Sequence, residues 1–235
     1  TCDFVSHPVI DYKLASKEEV FLFRNEFNLL DKRIILVLPG SRISEVNRLT
    51  KIFKYSLLPI LSKYPDLRVV IPTTENVYKL VKELTVSWQV QPIILPPENA
   101  YASDNIFFKR SAFMAADVAL AASGTVSLEL AANSVPMVVA YDMNFFSRFL
   151  MKFFLKTDSV TLVNLISNSR TVPEFLGSKC RPEYITKAVM DLIGSSEGSQ
   201  KQLESQRNAI SLLNQGNNTQ GTIAALAVYN YLKNS

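Results

Sequence analysis

The residues with the clearest chemical potential stand in two short turns, each between an apolar run and a helix-like segment. The first turn is Gly40, Ser41 and Arg42, which follows the apolar run 34–38. Glycine permits a tight turn, the hydroxyl can cap a helix or donate to a phosphate, and the guanidinium offers a bidentate fork. An ordinary strand-to-helix turn with an exposed arginine is the alternative, and spacing alone does not separate the two.

The second turn is Ser123, Gly124 and Thr125, after the apolar run 117–122. Its hydroxyls can donate, and its glycine lets the backbone approach a diphosphate. Glu129 lies four residues after Thr125, so the two share one helix face, where a carboxylate could accept both hydroxyls of a ribose. A helix cap with an acid in the first turn is the alternative, and Glu129 can serve both purposes.

Both turns precede helix starts, where backbone N–H groups lack partners and carry partial positive charge. Such starts accept phosphate readily. Two of them at the carboxyl edge of one parallel sheet predict a nucleotide or nucleotide-sugar site.

Two further segments carry weaker signals. Tyr141 and Met143 follow a strand-like run, so we expect them at the same sheet edge, with Asp142 or Asn144 as a helix cap. Asn164 ends a β-like run, where its amide could contact a base or a ligand, although a turn asparagine is the more common occurrence.

Composition narrows the function class. The chain has 235 residues, is 48% hydrophobic and carries a net charge of +4, which suits an anionic substrate or an acidic membrane surface and does not indicate nucleic acid. With His7 as its single histidine, a histidine metal site or a Ser-His-Asp triad is not expected. Cys2 and Cys180 suggest a reducing cytoplasm, and no apolar run is long enough to span a membrane.

The elements that position these turns alternate between short Val/Ile-rich runs and helical stretches. Alternation of this kind predicts an α/β fold, a Rossmann-like three-layer sandwich with a mainly parallel sheet and a C-terminal helical tail. The predicted strands are 33–38, 67–71, 92–95, 117–121 and 136–140. The predicted helices are 45–64, 75–85, 106–116, 125–133, 144–155, 182–193, 197–213 and 219–233. We expect Pro59 to kink or end the first of them. We expect residues 1–31 to form a connector with a helix start at Ser16, residues 32–195 the nucleotide-sugar-binding domain, and residues 196–235 the tail.

The segment 145–156 interleaves aromatic and aliphatic residues with Arg148, Lys152 and Lys156. Apolar residues cover most of its circumference, which exceeds the usual stripe of a surface helix. An interfacial helix at lipid headgroups and a core helix with a charged outer side are both compatible with this pattern.

Several motifs in this order resemble one family. They are Leu38-Pro39-Gly40-Ser41-Arg42-x-x-Glu45-Val46, Ala122-Ser123-Gly124-Thr125-x-x-Leu128-Glu129, Pro136-Met137-Val138-Val139-x-Tyr141-x-Met143, Leu155-Lys156-Thr157, Asn164-Leu165 and Pro173-Glu174-Phe175-Leu176. The set resembles lipid-A-disaccharide synthase, an inverting glycosyltransferase of the GT-B architecture. The chain departs from the family pattern at Asp142, Val163 and Gly177.

The resemblance implies transfer of 2,3-diacylglucosamine from UDP to 2,3-diacylglucosamine 1-phosphate (lipid X) at the cytoplasmic face of the Gram-negative inner membrane. It implies no metal or cofactor, functional importance for Arg42 and Asn164, and Glu129 as the ribose ligand. This chain would be the UDP-binding half, inactive alone, with the general base in an absent N-terminal domain. The last helix would pack on that domain or exchange within a homodimer. A UDP-GlcNAc 2-epimerase-like enzyme and a non-catalytic UDP-binding module are the alternatives.

Overall fold

A parallel sheet forms the centre of the computed structural model, which describes residues 7–97, 107–142, 159–214, 229 and 231–233. In chain order the strands are β1 (Arg33–Leu38), β2 (Leu67–Pro72), β3 (Ile93–Leu95), β4 (Val118–Ala122), β5 (Met137–Tyr141) and β6 (Glu174–Leu176). They pair in the spatial order β3-β2-β1-β4-β5-β6, and every pairing is parallel.

Helices connect the strands and flank the sheet. The described helices are α1 (Lys17–Glu26), α2 (Ile43–Lys63), α3 (Tyr78–Thr85), α4 (Phe107–Ala115), α5 (Val126–Ala132), α6 (Leu162–Ile166), α7 (Pro182–Gly194) and α8 (Ser196–Leu213). Short 3-10 turns lie at Pro8–Asp11 and Gly177–Lys179. Within the described ranges, every helix is too short or too polar to cross a bilayer.

Alternate side chains of β1 enter two separate hydrophobic cores. Ile34 packs in one core with Phe113 of α4, whereas Ile35 packs in the other with Phe53 of α2. All four side chains are fully buried. Since successive residues of a strand point to opposite faces, both faces of the sheet are covered, and the predicted three-layer α/β sandwich is confirmed.

The five predicted strands are present, and no strand end differs from the prediction by more than one residue. The run 162–166, predicted to be β-like, is the helix α6. The edge strand β6 was not predicted, because Glu174–Leu176 contains no β-branched residue, unlike the equally short β3. Pro59 was predicted to kink or end its helix; it does not end α2, which continues to Lys63.

The segment before β1 is attached to the sheet domain through α1. The predicted helix start is present: the Ser16 hydroxyl accepts from the Glu19 N–H at 3.1 Å and the Glu19 carboxylate accepts from the Ser16 N–H at 2.8 Å. Phe23 of α1 is fully buried, and its ring lies 6.2 Å from that of Phe108 in α4. Thus α1 contributes to the same core as α4.

Helix α8 is attached to the sheet by two buried glutamines. The Gln202 side chain accepts from the Met137 N–H at 2.5 Å and donates to the Met137 carbonyl at 3.0 Å. Gln206, one turn later, donates to the Val135 carbonyl at 2.8 Å. These bonds satisfy backbone groups at the start of β5. The predicted helix 144–155 lies outside the described residues, as does most of the predicted helix 219–233.

Candidate functional site

The strand order places the two predicted turns side by side. Counting outward from β1, the chain first runs through β2 to β3 on one side and then reverses through β4 on the other. Such a reversal opens a crevice at the carboxyl ends of the two central strands, where α/β proteins bind ligands. Leu38, the last residue of β1, is in register with Ala121 of β4. The turn after each strand therefore opens on the same crevice.

A cavity of about 370 Å³ lies in this crevice. Its size falls within the range of roughly 300–1,000 Å³ common to small-molecule sites. The lining residues come from the ends of β1, β2 and β4 and from the first turns of α2, α4 and α5. They are Leu38, Gly40, Ser41, Arg42, Glu45, Pro72, Thr73, Thr74, Lys109, Phe113, Ala122, Ser123, Gly124, Thr125, Val126 and Glu129.

The turn after β1 is closed by Glu45 of α2. Its carboxylate accepts from the backbone N–H groups of Ser41 and Arg42 at 3.3 and 3.4 Å, and from the Arg42 guanidinium at 2.7 Å. Gly40 has a φ of +114°, a conformation that side-chain-bearing residues rarely adopt. The side chain of Glu45 is 10% exposed, whereas that of Arg42 is 76% exposed.

The start of α2 thus carries its own anion. Of the two roles predicted for Ser41, helix cap or phosphate donor, the first is wrong, because Arg42 is the cap residue and Glu45 supplies the carboxylate. No role was predicted for Glu45. Its position three residues after the cap is the spacing of a capping box, and that signal could have identified it.

The turn after β4 is more open. Thr125 is the cap residue of α5, and no side-chain hydrogen bond caps this helix. A Cβ added at Gly124 would meet no atom within 4 Å. The Ser127 hydroxyl donates to the Gly124 carbonyl at 2.9 Å and fixes the shape of the turn. The first turn of α5 therefore presents backbone N–H groups that no side chain of the helix cap occupies.

Glu129 faces a cation across the cavity. The Nζ of Lys109, in the first turn of α4, lies 3.3 Å from Glu129 Oε2. The same ammonium lies 5.8 Å from the centroid of the buried Phe113 ring, within the range of a cation–π contact. Lys109 was not predicted, and no local spacing indicates it, because α4 reaches the crevice only through the fold. Thr73 and Thr74, which directly follow β2, were not predicted either, although they stand after a strand as the predicted turns do.

Seven predicted site residues line the cavity, but Tyr141 and Asn164 are not among them. The seven are Gly40, Ser41, Arg42, Ser123, Gly124, Thr125 and Glu129. Tyr141 ends β5, beside β4 at the same sheet edge. Met143 and the aromatic-basic segment 145–156 lie outside the described residues.

Asn164 is buried in a polar network of its own. It is 1% exposed, and its amide donates to the Val172 carbonyl at 2.9 Å and accepts from the Val172 N–H at 3.1 Å. Glu174 of β6 binds the same segment, since its carboxylate accepts from the Ser159 hydroxyl at 2.6 Å and the Thr161 N–H at 2.7 Å. This geometry gives Asn164 a structural role, and its part in substrate binding stays a prediction.

The comparison with known families decides the assignment. Residues 1–228 match the family described as "Lipid-A-disaccharide synthetase". The chain belongs to the lipid-A-disaccharide synthase family. It is 44% identical over 184 residues to the lipid-A-disaccharide synthase of Ruegeria pomeroyi, covering 78% of this chain and 46% of that protein. Identity to the Rhodospirillum centenum synthase is 37% over 231 residues, covering 98% and 56%. The chain spans about half the length of these relatives.

Solved structures share the fold of this synthase-family chain. UDP-GlcNAc 2-epimerase from Neisseria meningitidis, bound to UDP-GlcNAc, superposes with a TM-score of 0.56 at 18% identity, covering 92% of this chain and 50% of that one. The C-terminal domain of a group 1 glycosyl transferase from Francisella tularensis gives 0.53 at 15% identity, covering 87% and 95%. At such identities the likeness concerns the fold, which is that of a GT-B-like α/β domain.

Proposed function

We propose that this chain is the nucleotide-sugar-binding half of a lipid-A-disaccharide synthase. In the reaction proposed, a diacylglucosamine moves from UDP to lipid X, and UDP is released. The observation that carries the proposal is the shared cavity at the strand reversal, bordered by the turns Gly40–Arg42 and Ser123–Thr125, in a chain of this family.

The two turns differ in their readiness to accept phosphate. The N–H groups of Ser41 and Arg42 already donate to Glu45, whereas the turn at Gly124 leaves space beside its backbone. We therefore place the diphosphate against the turn Ser123–Thr125, with the Arg42 guanidinium reaching it from the opposite side. The Arg42 side chain is 76% exposed, and Glu45 keeps two backbone N–H donors when the guanidinium leaves it, so Arg42 can turn from that carboxylate to a phosphate.

The chemistry follows from the leaving group. When the bond between the sugar and the diphosphate breaks, negative charge develops on UDP, and donors fixed in a cavity stabilise it better than water does. Arg42 and the hydroxyls of Ser123 and Thr125 supply those donors, and Glu129 accepts the ribose hydroxyls. With these groups the proposed reaction needs no metal ion or cofactor. The general base and the acceptor site are supplied from outside this chain.

A membrane location completes the proposal. The net charge of +4 and the aromatic-basic segment 145–156 support peripheral binding to the inner membrane, where the acylated substrates reside. Replacing Arg148, Lys152 and Lys156 with glutamine should reduce partition onto anionic vesicles; an unchanged partition would remove the segment from the membrane contact.

Calorimetric titration tests the nucleotide site. UDP should bind the full chain in preference to ADP and GDP. Arg42→Ala should weaken UDP binding by about tenfold, the loss expected for one charge-assisted hydrogen bond. The matched control is Arg170→Ala, an exposed arginine whose guanidinium donates to the Ser169 carbonyl away from the cavity. Absence of UDP binding, or equal affinity for all three nucleotides, would overturn the proposed site.

Turnover tests the catalytic part of the proposal. In the intact enzyme Arg42→Ala should lower kcat by tenfold or more, since one transition-state donor is worth about 3 kcal/mol. The 235-residue chain alone should bind UDP and form no disaccharide. Disaccharide formation by that chain alone would refute its assignment as a half-enzyme.

A further inference from the structure

The cavity carries balanced charge before any ligand enters. Among its described lining residues the cations are Arg42 and Lys109, and the carboxylates are Glu45 and Glu129. Each cation contacts one carboxylate, at 2.7 Å for Arg42–Glu45 and 3.3 Å for Lys109–Glu129. A diphosphate brings at least two negative charges, so its binding is strengthened where a cation can exchange its carboxylate for a phosphate oxygen.

The two carboxylates are held very differently. Glu45 is fixed by two backbone N–H groups as well as by the Arg42 guanidinium. Glu129 has only its ion pair with Lys109: its buried Oε2 is the atom 3.3 Å from the ammonium, and this contact lacks hydrogen-bond geometry. A ligand hydroxyl that donates to this oxygen would give it a hydrogen bond that it does not have in the structure.

The position of Lys109 permits such an exchange. Its side chain is 32% exposed and that of Glu129 is 24% exposed, so both lie at the cavity wall within reach of solvent. The aliphatic part of a lysine side chain can stay packed while the ammonium turns to a new anion. Lys109 approaches from α4, whereas Arg42 stands at the start of α2, so two cations border the same space from different elements.

We propose that Lys109 is a phosphate-binding residue of the nucleotide site and that ligand entry exchanges its partner. In the structure its ammonium pairs with Glu129 at 3.3 Å. When a nucleoside diphosphate binds, the ammonium contacts a phosphate oxygen, and the freed Glu129 carboxylate accepts hydroxyl groups of the sugar. This inference rests on the proposed nucleotide site. It adds a second cation to that site and the exchange of its partner, from Glu129 to a phosphate oxygen.

Titration of UDP and uridine into the full chain separates the outcomes. With Lys109→Gln, UDP affinity should fall by about tenfold or more, while uridine affinity stays within about twofold, because uridine carries no phosphate. Lys109→Arg should retain most of the UDP affinity. The matched control is Lys201→Gln, since Lys201 pairs with Glu197 at 2.8 Å on the exposed side of α8.

Three outcomes of these titrations distinguish failure of the Lys109 contact from failure of the nucleotide site. If the wild-type chain binds UDP and Lys109→Gln binds it equally well, the inference is wrong and the nucleotide site stands. If Lys109→Gln loses UDP and uridine equally, Lys109 acts only by positioning Glu129, and the phosphate contact is refuted. If the wild-type chain binds neither, the proposed nucleotide site itself fails.

A measurement on the unmodified chain covers the case in which the variant does not fold. Amine acetylation of Lys109, followed by mass spectrometry, should slow in the presence of UDP and not in the presence of uridine. Acetylation of Lys201 should be insensitive to both. Equal protection of Lys109 by UDP and uridine would overturn the inference without any substitution.

Discussion

Replacing Gly40 with alanine tests whether the first turn is as constrained as its geometry indicates. Gly40 has a φ of +114°, and an added Cβ would lie 2.5 Å from Glu45 Oε2 and 2.7 Å from Glu45 Cβ. A carboxylate oxygen can rotate away from such a contact. The Cβ of Glu45 cannot, since it is attached directly to the backbone of α2, so either the turn or the helix start must move.

The expected cost combines two effects. Holding a side-chain-bearing residue in a sparsely populated backbone conformation costs about 1–3 kcal/mol. Forcing an additional carbon into occupied space costs about 1–3 kcal/mol. We therefore expect Gly40→Ala to lower the free energy of unfolding by roughly 2–6 kcal/mol, which at about 2–4 °C per kcal/mol for a domain of this size lowers Tm by roughly 4–24 °C.

Thermal unfolding followed by circular dichroism measures the effect, and Gly124→Ala is its matched control. Gly124 follows β4 as Gly40 follows β1, yet a Cβ there meets no atom within 4 Å, so Tm should remain near that of the wild type. Glu45→Gly removes both of the atoms that an added Cβ would meet, so Gly40→Ala should cost less in a Glu45→Gly background than in the wild type. Equal Tm values for the two glycine variants would refute the reasoning.

Two further predictions concern regions outside the cavity. Gln202→Ala should lower the free energy of unfolding by about 2–4 kcal/mol, because it leaves the backbone N–H and carbonyl of Met137 buried without partners. Urea unfolding measures this loss, and Gln200→Ala, at an exposed position of α8, is the control. The Arg33 guanidinium, which binds both carboxylate oxygens of Asp66, lowers the pKa of Asp66 from 3.8 to about 2. Because folding lowers this pKa, the stabilisation from the ionised Asp66 is fully present above pH 3.8 and is lost as the pH falls through about 2. The Tm difference between the wild type and Asp66→Asn should therefore shrink between pH 4 and pH 2.

The sheet was predictable because each of its longer strands is buried on both faces. Strands such as β1 and β4 are therefore continuous apolar runs, and the turns after them carry recognisable residues at Gly40 and Ser123. Strand β6 has three residues and half-buried side chains, so it leaves no run of comparable length. Helix α6 has five residues, and its Val- and Leu-rich composition resembles a strand as closely as a helix.

The candidate site was predictable in part, since residues that directly follow a strand can be assigned to the sheet edge from the sequence. Lys109 cannot be assigned in this way, because its place in the cavity depends on how α4 packs against the sheet. Asn164 is the reverse case: it was predicted as a site residue, and the structure places it in a buried polar network away from the cavity. A buried amide that bonds both backbone groups of Val172 looks in the sequence like any polar residue near a turn. Only the three-dimensional path of residues 159–176 distinguishes an amide that holds the chain from one that meets a ligand.

The two turns look alike in the sequence but differ in their capacity for a ligand. At the first turn, Glu45 satisfies two N–H groups and contacts Gly40 so closely that no larger residue fits. That turn is rigid, and its exposed Arg42 side chain is the part that can reach outward. At the second turn no side chain caps the helix, and the nearby Glu129 is held by one ion pair. In the proposed function a phosphate therefore displaces least where the second turn opens, and the first turn contributes by fixing the point from which Arg42 extends. Exchanging the two roles would require removing Glu45, which would leave the N–H groups of Ser41 and Arg42 without their acceptor.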